Sequence, residues 1–390
     1  MLNVSHENFP RELLNRPVSE RLAYFRSYTV AHPLLKEADT ALKRAIQEPA
    51  GGSLVFVVGP TGVGKTTLRL RVEQYLKEAF LPEAKEDVGR IPVVAVEAVA
   101  PDSGNFNWKD YYQRALRSLE EPLIRHKIGS CGQDLHTCTS RTAGTELRYA
   151  LEQALRFRRP TAVMVDEAQH LTKMASGRKL SDQLDSLKSL ANLTGCVHVL
   201  IGTYELLPCR NLSAQLSRRS IDIHFRRYRA DDPKDVEAFQ RVIFSFQRQL
   251  PLAEEPQLWR DWEYCYARSI GCVGVLKDWL TRGLAAALET GAATLTREHL
   301  EKYSWSMDQC EKMAQEALEG ESALTEKREV RIRLLTLLGL EPKPGLTDIG
   351  ATAEIRGMTA TNQGSRRGRS RVGERSPVRD AIGSRCQNAG

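Results

Sequence analysis

At 390 residues, 41% hydrophobic and 27% charged, the chain has room for two packed units plus tails. Its composition excludes a wholly disordered chain, a collagen-like fibre and a disulfide miniprotein. The net charge of +7 gathers at one end, since residues 341–390 hold nine Lys/Arg against five Asp/Glu; any nucleic-acid surface elsewhere must be a local patch.

No apolar run approaches the roughly 18 residues of a membrane span, and residues 1–10 lack the apolar core of a secretory signal. Both predict a cytoplasmic protein with no membrane partner. Cys131, His136 and Cys138 come closest to a metal cluster, but the spacing is not a usual zinc pattern and no second pair follows. Idle, reduced thiols are the expectation.

Residues 1–48 read as a helical extension broken at Pro33, closed by the turn Pro49 to Ser53. A fully apolar run, Leu54 to Val58, predicts a strand buried on both faces. Further short strands are expected at Ile91–Val99, Thr161–Val165, Cys196–Ile201 and Ile221–Phe225. Helical patterns lie between them, at Lys65–Phe80, Trp108–Leu119, Thr145–Phe157 and Leu180–Leu193. This alternation predicts an α/β domain over 49–226, with a parallel five-stranded sheet between helices. From 227 to 318 the periodicity is helical throughout, as in Val275, Leu276, Trp279, Leu280 and Leu284. This stretch predicts an all-helical second domain. One more helix is expected within 319–341, over Glu326 to Leu340. Residues 342–390 are poor in apolar side chains and carry an Arg-rich stretch, Ser365 to Arg371, so a disordered tail is expected.

Gly59, Pro60, Thr61, Gly62, Val63, Gly64, Lys65 and Thr66, followed by Thr67, fit the phosphate-binding P-loop pattern between a buried strand and a helix. Glycines let successive N–H groups turn inward around phosphates. Lys65 is expected to reach the β- and γ-phosphates of ATP, and the Thr66 hydroxyl to hold Mg²⁺. The strand Ala162 to Val165 ends in Asp166 and Glu167. Asp166 is placed to hold Mg²⁺, and Glu167 to polarise the attacking water. Thr203, at the end of another buried strand, is expected at the γ-phosphate or the lytic water. Arg218 and Arg219 precede the last strand, and a guanidinium there can reach a neighbouring chain's phosphates, with Arg219 favoured. Gly271 and Gly274 allow a close helix approach near Lys277, which points back to the nucleotide or merely lies on the helix surface.

Phosphate loop, Asp-Glu carboxylates, polar-tipped strand, arginine pair and helical lid together resemble an AAA+ ATPase. More narrowly the chain resembles the TniB/TnsC ATPases of bacterial DDE transposons, with phage MuB as a distant relative. The residues that carry this are the P-loop, Val165 to His170, Ile201 to Glu205, Gln215 to Arg219, Ile270 to Lys277, and Thr296 to Leu300, across residues 15–305. The sequence departs from the family at Ser220, where an aromatic is common, and at Lys277, where many AAA+ proteins carry Arg. The resemblance implies an ATPase that binds double-stranded DNA as a homo-oligomeric ring or helical filament. It also implies target-site selection through an adaptor or CRISPR-type effector, and recruitment of a DDE transposase. Candidate DNA contacts are Lys109, Arg141 and Thr142, which suit phosphates rather than base edges.

Three other protein classes share some of these motifs. A superfamily 2 helicase needs a second strand-rich domain, and only 187 residues follow Thr203. A secretion- or envelope-associated ATPase acting on protein usually carries a membrane or envelope-binding segment. A signalling switch shares the nucleotide motifs. ATP-dependent, salt-sensitive DNA binding separates the transposition reading from the last two.

Overall fold

The computed structural model describes residues 8–49, 51–100, 106–124, 140–172, 178–210 and 218–340, with backbone alone for 84, 140–142 and 178–183. They divide into two units, Met1–Glu326 and Lys327–Gly390.

In the first unit the strands are β1 (Leu54–Val58), β2 (Val93–Glu97), β3 (Ala162–Asp166), β4 (Val197–Gly202) and β5 (Ser220–His224). All pair in parallel, in the order β2-β3-β4-β1-β5. The first helices are α1 (Val18–Ser27), α2 (Pro33–Gln47), α3 (Lys65–Ala79), α4 (Leu81–Glu86), α5 (Trp108–Ser118), α6 (Ser140–Arg158), α7 (Arg178–Thr194) and α8 (Leu207–Arg210). Past β5 the described elements are helical: α9 (Pro233–Arg248), α10 (Trp262–Ser269), α11 (Val273–Glu289), α12 (Arg297–Glu301) and α13 (Met307–Leu324), with short 3₁₀ turns. The second unit contributes α14 (Arg328–Leu337).

Every residue of β1, β3 and β4 is buried, because each strand alternates its side chains between two covered faces. Val55 and Val57 enter one core with Leu68 and Val72 of α3; Leu54, Phe56 and Val58 enter the other with Leu116, Leu151 and Leu187. The first core continues without a break into the helical region through Phe239, Phe246 and Trp279.

The helical pattern is interrupted before Pro33, which begins the second helix, since its missing N–H falls where none is needed. Within residues 1–48, Phe25 and Leu42 lie in the first core, and Tyr24 Oη donates to Gln249 Oε1 at 2.5 Å. The boundary at 318/319 falls inside α13, so 319–341 holds the end of one helix and a separate short one. The tail expected to be disordered, and Cys131, His136 and Cys138, lie outside the described residues. Described cysteines 196, 209, 265, 272 and 310 are buried and free. No described helix is long and apolar enough to cross a membrane.

Candidate nucleotide site

β1 runs between β4 and β5 and delivers Gly59 to the sheet's C-terminal edge. Gly62 and Gly64 then take φ of +74° and +113°, left-handed values that side chains with a Cβ rarely adopt. α3 starts at Lys65, so the loop wraps a helix N-terminus, where backbone N–H groups and the helix dipole favour phosphate. Lys65 is buried, and its Nζ donates to the carbonyls of Gly59 (3.1 Å) and Pro60 (2.9 Å). Burial lowers its pKa, while the charges of Glu167 and Asp166 act in the opposite sense. Val63 is buried in the core below the loop.

Two strands away, β3 ends in the carboxylates. Asp166 is buried; its Oδ1 accepts from the Glu167 N–H at 3.0 Å, and its Oδ2 from Arg69 Nε at 3.1 Å. Arg69 also pairs with Glu73 at 2.8 Å. Glu167 holds a left-handed backbone, φ +53°, and its Oε2 accepts from Gln169 Nε2 at 2.5 Å. Gln169 Oε1 in turn accepts from the backbone N–H of Thr203 at 3.2 Å. The Thr203 hydroxyl is buried and has no hydrogen-bond partner.

A cavity of about 730 Å³ joins these groups. Its walls include Thr61, Gly62, Gly64, Lys65, Thr66, Thr67, Glu167, Gln169, Thr203 and Lys277, with Arg26 and Arg282 at the helical side. Lys277 Nζ donates to the Arg26 carbonyl at 2.7 Å, and burial lowers its pKa. The lid sits directly on the P-loop, because the Gly62 carbonyl accepts from the N–H groups of Gly274 (2.8 Å) and Val275 (3.2 Å) in the first turn of α11.

Arg218 and Arg219 stand apart from this cleft. Both are exposed and line a separate cavity of about 570 Å³ with Asp185, Lys188 and Asn192. Arg219 Nη1 donates to Asn192 Oδ1 at 3.2 Å. Lys109 lies in the first turn of α5, its stem 4.0 Å from where a Cβ on Gly144 of α6 would stand. Arg141 and Thr142 belong to the first turn of α6, but their side chains lie outside the described residues.

The residues present fit a divalent cation of the Mg²⁺ type. Thr66, Asp166, Glu167 and Glu97 line one small cavity together with Arg69, and their oxygens suit a hard ion. Among the described residues no group of three or more His, Cys, Asp or Glu forms a cation cage. Gln169 and Arg69 were assigned no role from the sequence. The Asp-Glu-Ala-Gln run that carries Gln169 was the available signal; Arg69 offered none beyond its place one turn after Thr66.

Residues 48–210 match the family model described as an AAA domain. No curated protein matches the chain. Among solved structures, the ORC2 protein of Aeropyrum pernix in its ADPNP–ADP complexes is 16% identical, covering 80% of this chain and 82% of that one at a TM-score of 0.47. The Drosophila ORC bound to DNA is 15% identical, covering 87% and 85% at 0.43. The Walker-type ATPase of Pyrococcus abyssi is 17% identical, covering 76% and 75% at 0.39. These likenesses are too loose to bear on substrate or partner. P-loop, carboxylate pair and family match agree: residues 48–210 match an AAA domain, and the chain is an ATPase.

Proposed function

We propose that the chain is an ATP-dependent, DNA-binding regulator of transposition that assembles as a homo-oligomer on double-stranded target DNA, selects the site and recruits a DDE transposase in the cytoplasm. The order of motifs it shares with the TniB/TnsC ATPases supports this reading. The observation that carries the assembly is the place of Arg218 and Arg219: they line a cavity that shares no residue with the nucleotide cleft of their own chain. An arginine outside its own cleft can be supplied to a neighbour's phosphates.

Within the cleft each residue has a defined task. The glycine-rich loop and Lys65 bind the phosphates, and Lys277 closes the helical side. Thr66 and Asp166 would hold Mg²⁺, whose charge would offset that of the phosphates. For Asp166 to do so, Arg69 must give up its 3.1 Å contact. Glu167 polarises the attacking water, and Thr203 supplies a hydroxyl to the γ-phosphate or to that water. Lys109, Arg141 and Thr142 grip DNA phosphates without reading sequence.

Duplex binding measured with and without ATP, at rising salt, tests the DNA reading. It should require ATP, ignore sequence and weaken with a log–log slope of roughly −0.9 per phosphate neutralised. Lys109→Ala and Arg141→Ala should flatten that slope. DNA binding that is absent under every nucleotide condition would favour an ATPase acting on protein. Binding lost on truncation after Leu340 would assign it to the Arg-rich end of the chain instead.

A further inference from the structure

Asp166 is buried at 5% exposure, and both of its carboxylate oxygens are taken. Oδ1 accepts from the Glu167 N–H, and Oδ2 accepts from Arg69 Nε at 3.1 Å. Arg69 reaches it from α3 and is itself partly buried, with 18% of its side chain exposed. Its guanidinium works along two edges. While Nε lies on Asp166, Nη1 donates to Glu73 Oε2 at 2.8 Å. Glu73 also accepts from Lys77 Nζ at 2.7 Å.

This contact lies in the small cavity lined by Thr66, Glu97, Asp166 and Glu167. Three carboxylates and a hydroxyl are the kind of oxygen set that draws a divalent cation. Arg69 is the one cationic side chain among the described residues that line it.

We propose that Arg69 is the resident counter-cation of this cavity: it neutralises Asp166 while the cleft is empty, keeps free Mg²⁺ out, and makes the metal enter together with the nucleotide. The inference rests on the reading of Asp166 as a holder of Mg²⁺. Free Mg²⁺ gives up its water reluctantly. To reach Asp166 it must shed water and also displace a guanidinium at 3.1 Å. Phosphates in the P-loop add oxygen ligands and negative charge, so the exchange becomes favourable only when nucleotide is present. Binding couplings are reciprocal, so the same contact makes nucleotide affinity depend on Mg²⁺.

Arg69 has a place to go. Glu73 already holds its other edge, so the guanidinium can leave Asp166 and keep a counter-charge. No covalent bond changes; one ion pair is given up and the other is kept. Without Arg69, Asp166 would be a buried charge with no partner, which is strongly unfavourable.

Metal binding in the absence of nucleotide tests this. Mn²⁺, standing in for Mg²⁺, is titrated into the nucleotide-free protein and followed by electron paramagnetic resonance, with thermal midpoints recorded alongside. Wild type should leave Mn²⁺ free, and its midpoint should not move with either metal. Arg69→Gln should have a lower midpoint without metal, bind Mn²⁺ about 10-fold more tightly than wild type, and regain part of its midpoint on addition of Mg²⁺. Glu73→Gln should act in the opposite sense. Arg69 then rests on Asp166 alone, and Mg²⁺–ATP should bind about 10-fold less tightly. A purely structural ion pair would lower the midpoint in both variants and leave neither responsive to metal, which would overturn the proposal. So would a wild type that binds Mn²⁺ as tightly as Arg69→Gln does. If Arg69→Gln does not fold, Glu73→Gln decides alone, and unchanged affinity for Mg²⁺–ATP in that variant overturns the proposal. Failure of the underlying reading looks different: Asp166→Asn would then keep the wild-type response of ATP affinity to Mg²⁺.

Discussion

Arg227 and Glu321 stand 94 positions apart and form a two-pronged ion pair, Nε to Oε1 at 2.8 Å and Nη2 to Oε2 at 3.2 Å. Arg227 also donates to Tyr266 Oη at 3.1 Å and to the Ile270 carbonyl at 3.3 Å. The pair ties α13 to the segment that leaves β5, beside the Thr203 tip. Glu321→Ala leaves a buried guanidinium without its counter-charge, at a cost of roughly 3 kcal/mol. Chemical denaturation should show this as a lower midpoint with an unchanged slope. An unchanged midpoint would mean that α13 is held by its apolar contacts alone.

Lys65→Ala should weaken ATP binding by roughly 100-fold or more, since the charge-assisted contacts to the phosphates are lost. Glu167→Gln should bind ATP normally and hydrolyse it about 100- to 10,000-fold more slowly, the range usual for a lost general base. Calorimetric titration of both variants beside a turnover assay separates binding from chemistry. Unchanged affinity in Lys65→Ala would contradict the site.

The contact between lid and P-loop makes a sharper demand. A Cβ on Gly274 would lie 2.5 Å from the Gly62 carbonyl oxygen, closer than any real contact of that kind. Gly274→Ala should therefore push α11 off the loop, lowering both ATP affinity and thermal stability. Wild-type affinity in this variant would show that the lid does not need its seat on Gly62.

Two buried histidines predict the acid limit of the fold. His32 shares a hydrogen bond of 3.0 Å with Tyr228 Oη; burial, helped by the charge of Arg71, lowers its pKa from 6.5 to about 4. His198 lies inside β4, and burial lowers its pKa to about 4 against the opposing pull of the Cys196 carbonyl. Both stay neutral in the fold at pH values where the unfolded chain takes up a proton. Stability is thus complete above pH 6.5 and falls as pH drops toward 4, by about 1.4 kcal/mol per histidine per pH unit. The thermal midpoint across that window should fall steeply, and less steeply in His32→Gln.

Much of the fold was legible because its strands are short, wholly apolar runs between turn residues. Leu54–Val58 was placed to the residue, and the other four strands within one or two. The P-loop could be read because its glycines, lysine and threonine are contiguous. What escaped depends on contacts between distant segments. Pro33 is compatible with breaking a helix or starting one, and the His32 side chain, which accepts from the Leu35 N–H at 3.4 Å, belongs to a start. The path of α13 is set by Gly320 against Tyr204 and by Glu321 against Arg227, pairings no local pattern encodes. Gln169 is visible in the sequence, but its two partners belong to two different strand ends.

The most direct test of the account is hydrolysis by a mixture of two inactive chains. Lys65→Ala binds ATP poorly but keeps Arg219; Arg219→Ala binds ATP but offers its neighbour no arginine. If the site is completed between chains, mixing the two on DNA should restore part of the wild-type rate, because Arg219 of one chain reaches the intact cleft of the other. Full assembly of the mixture with no recovered hydrolysis would contradict it and place the whole catalytic site within a single chain.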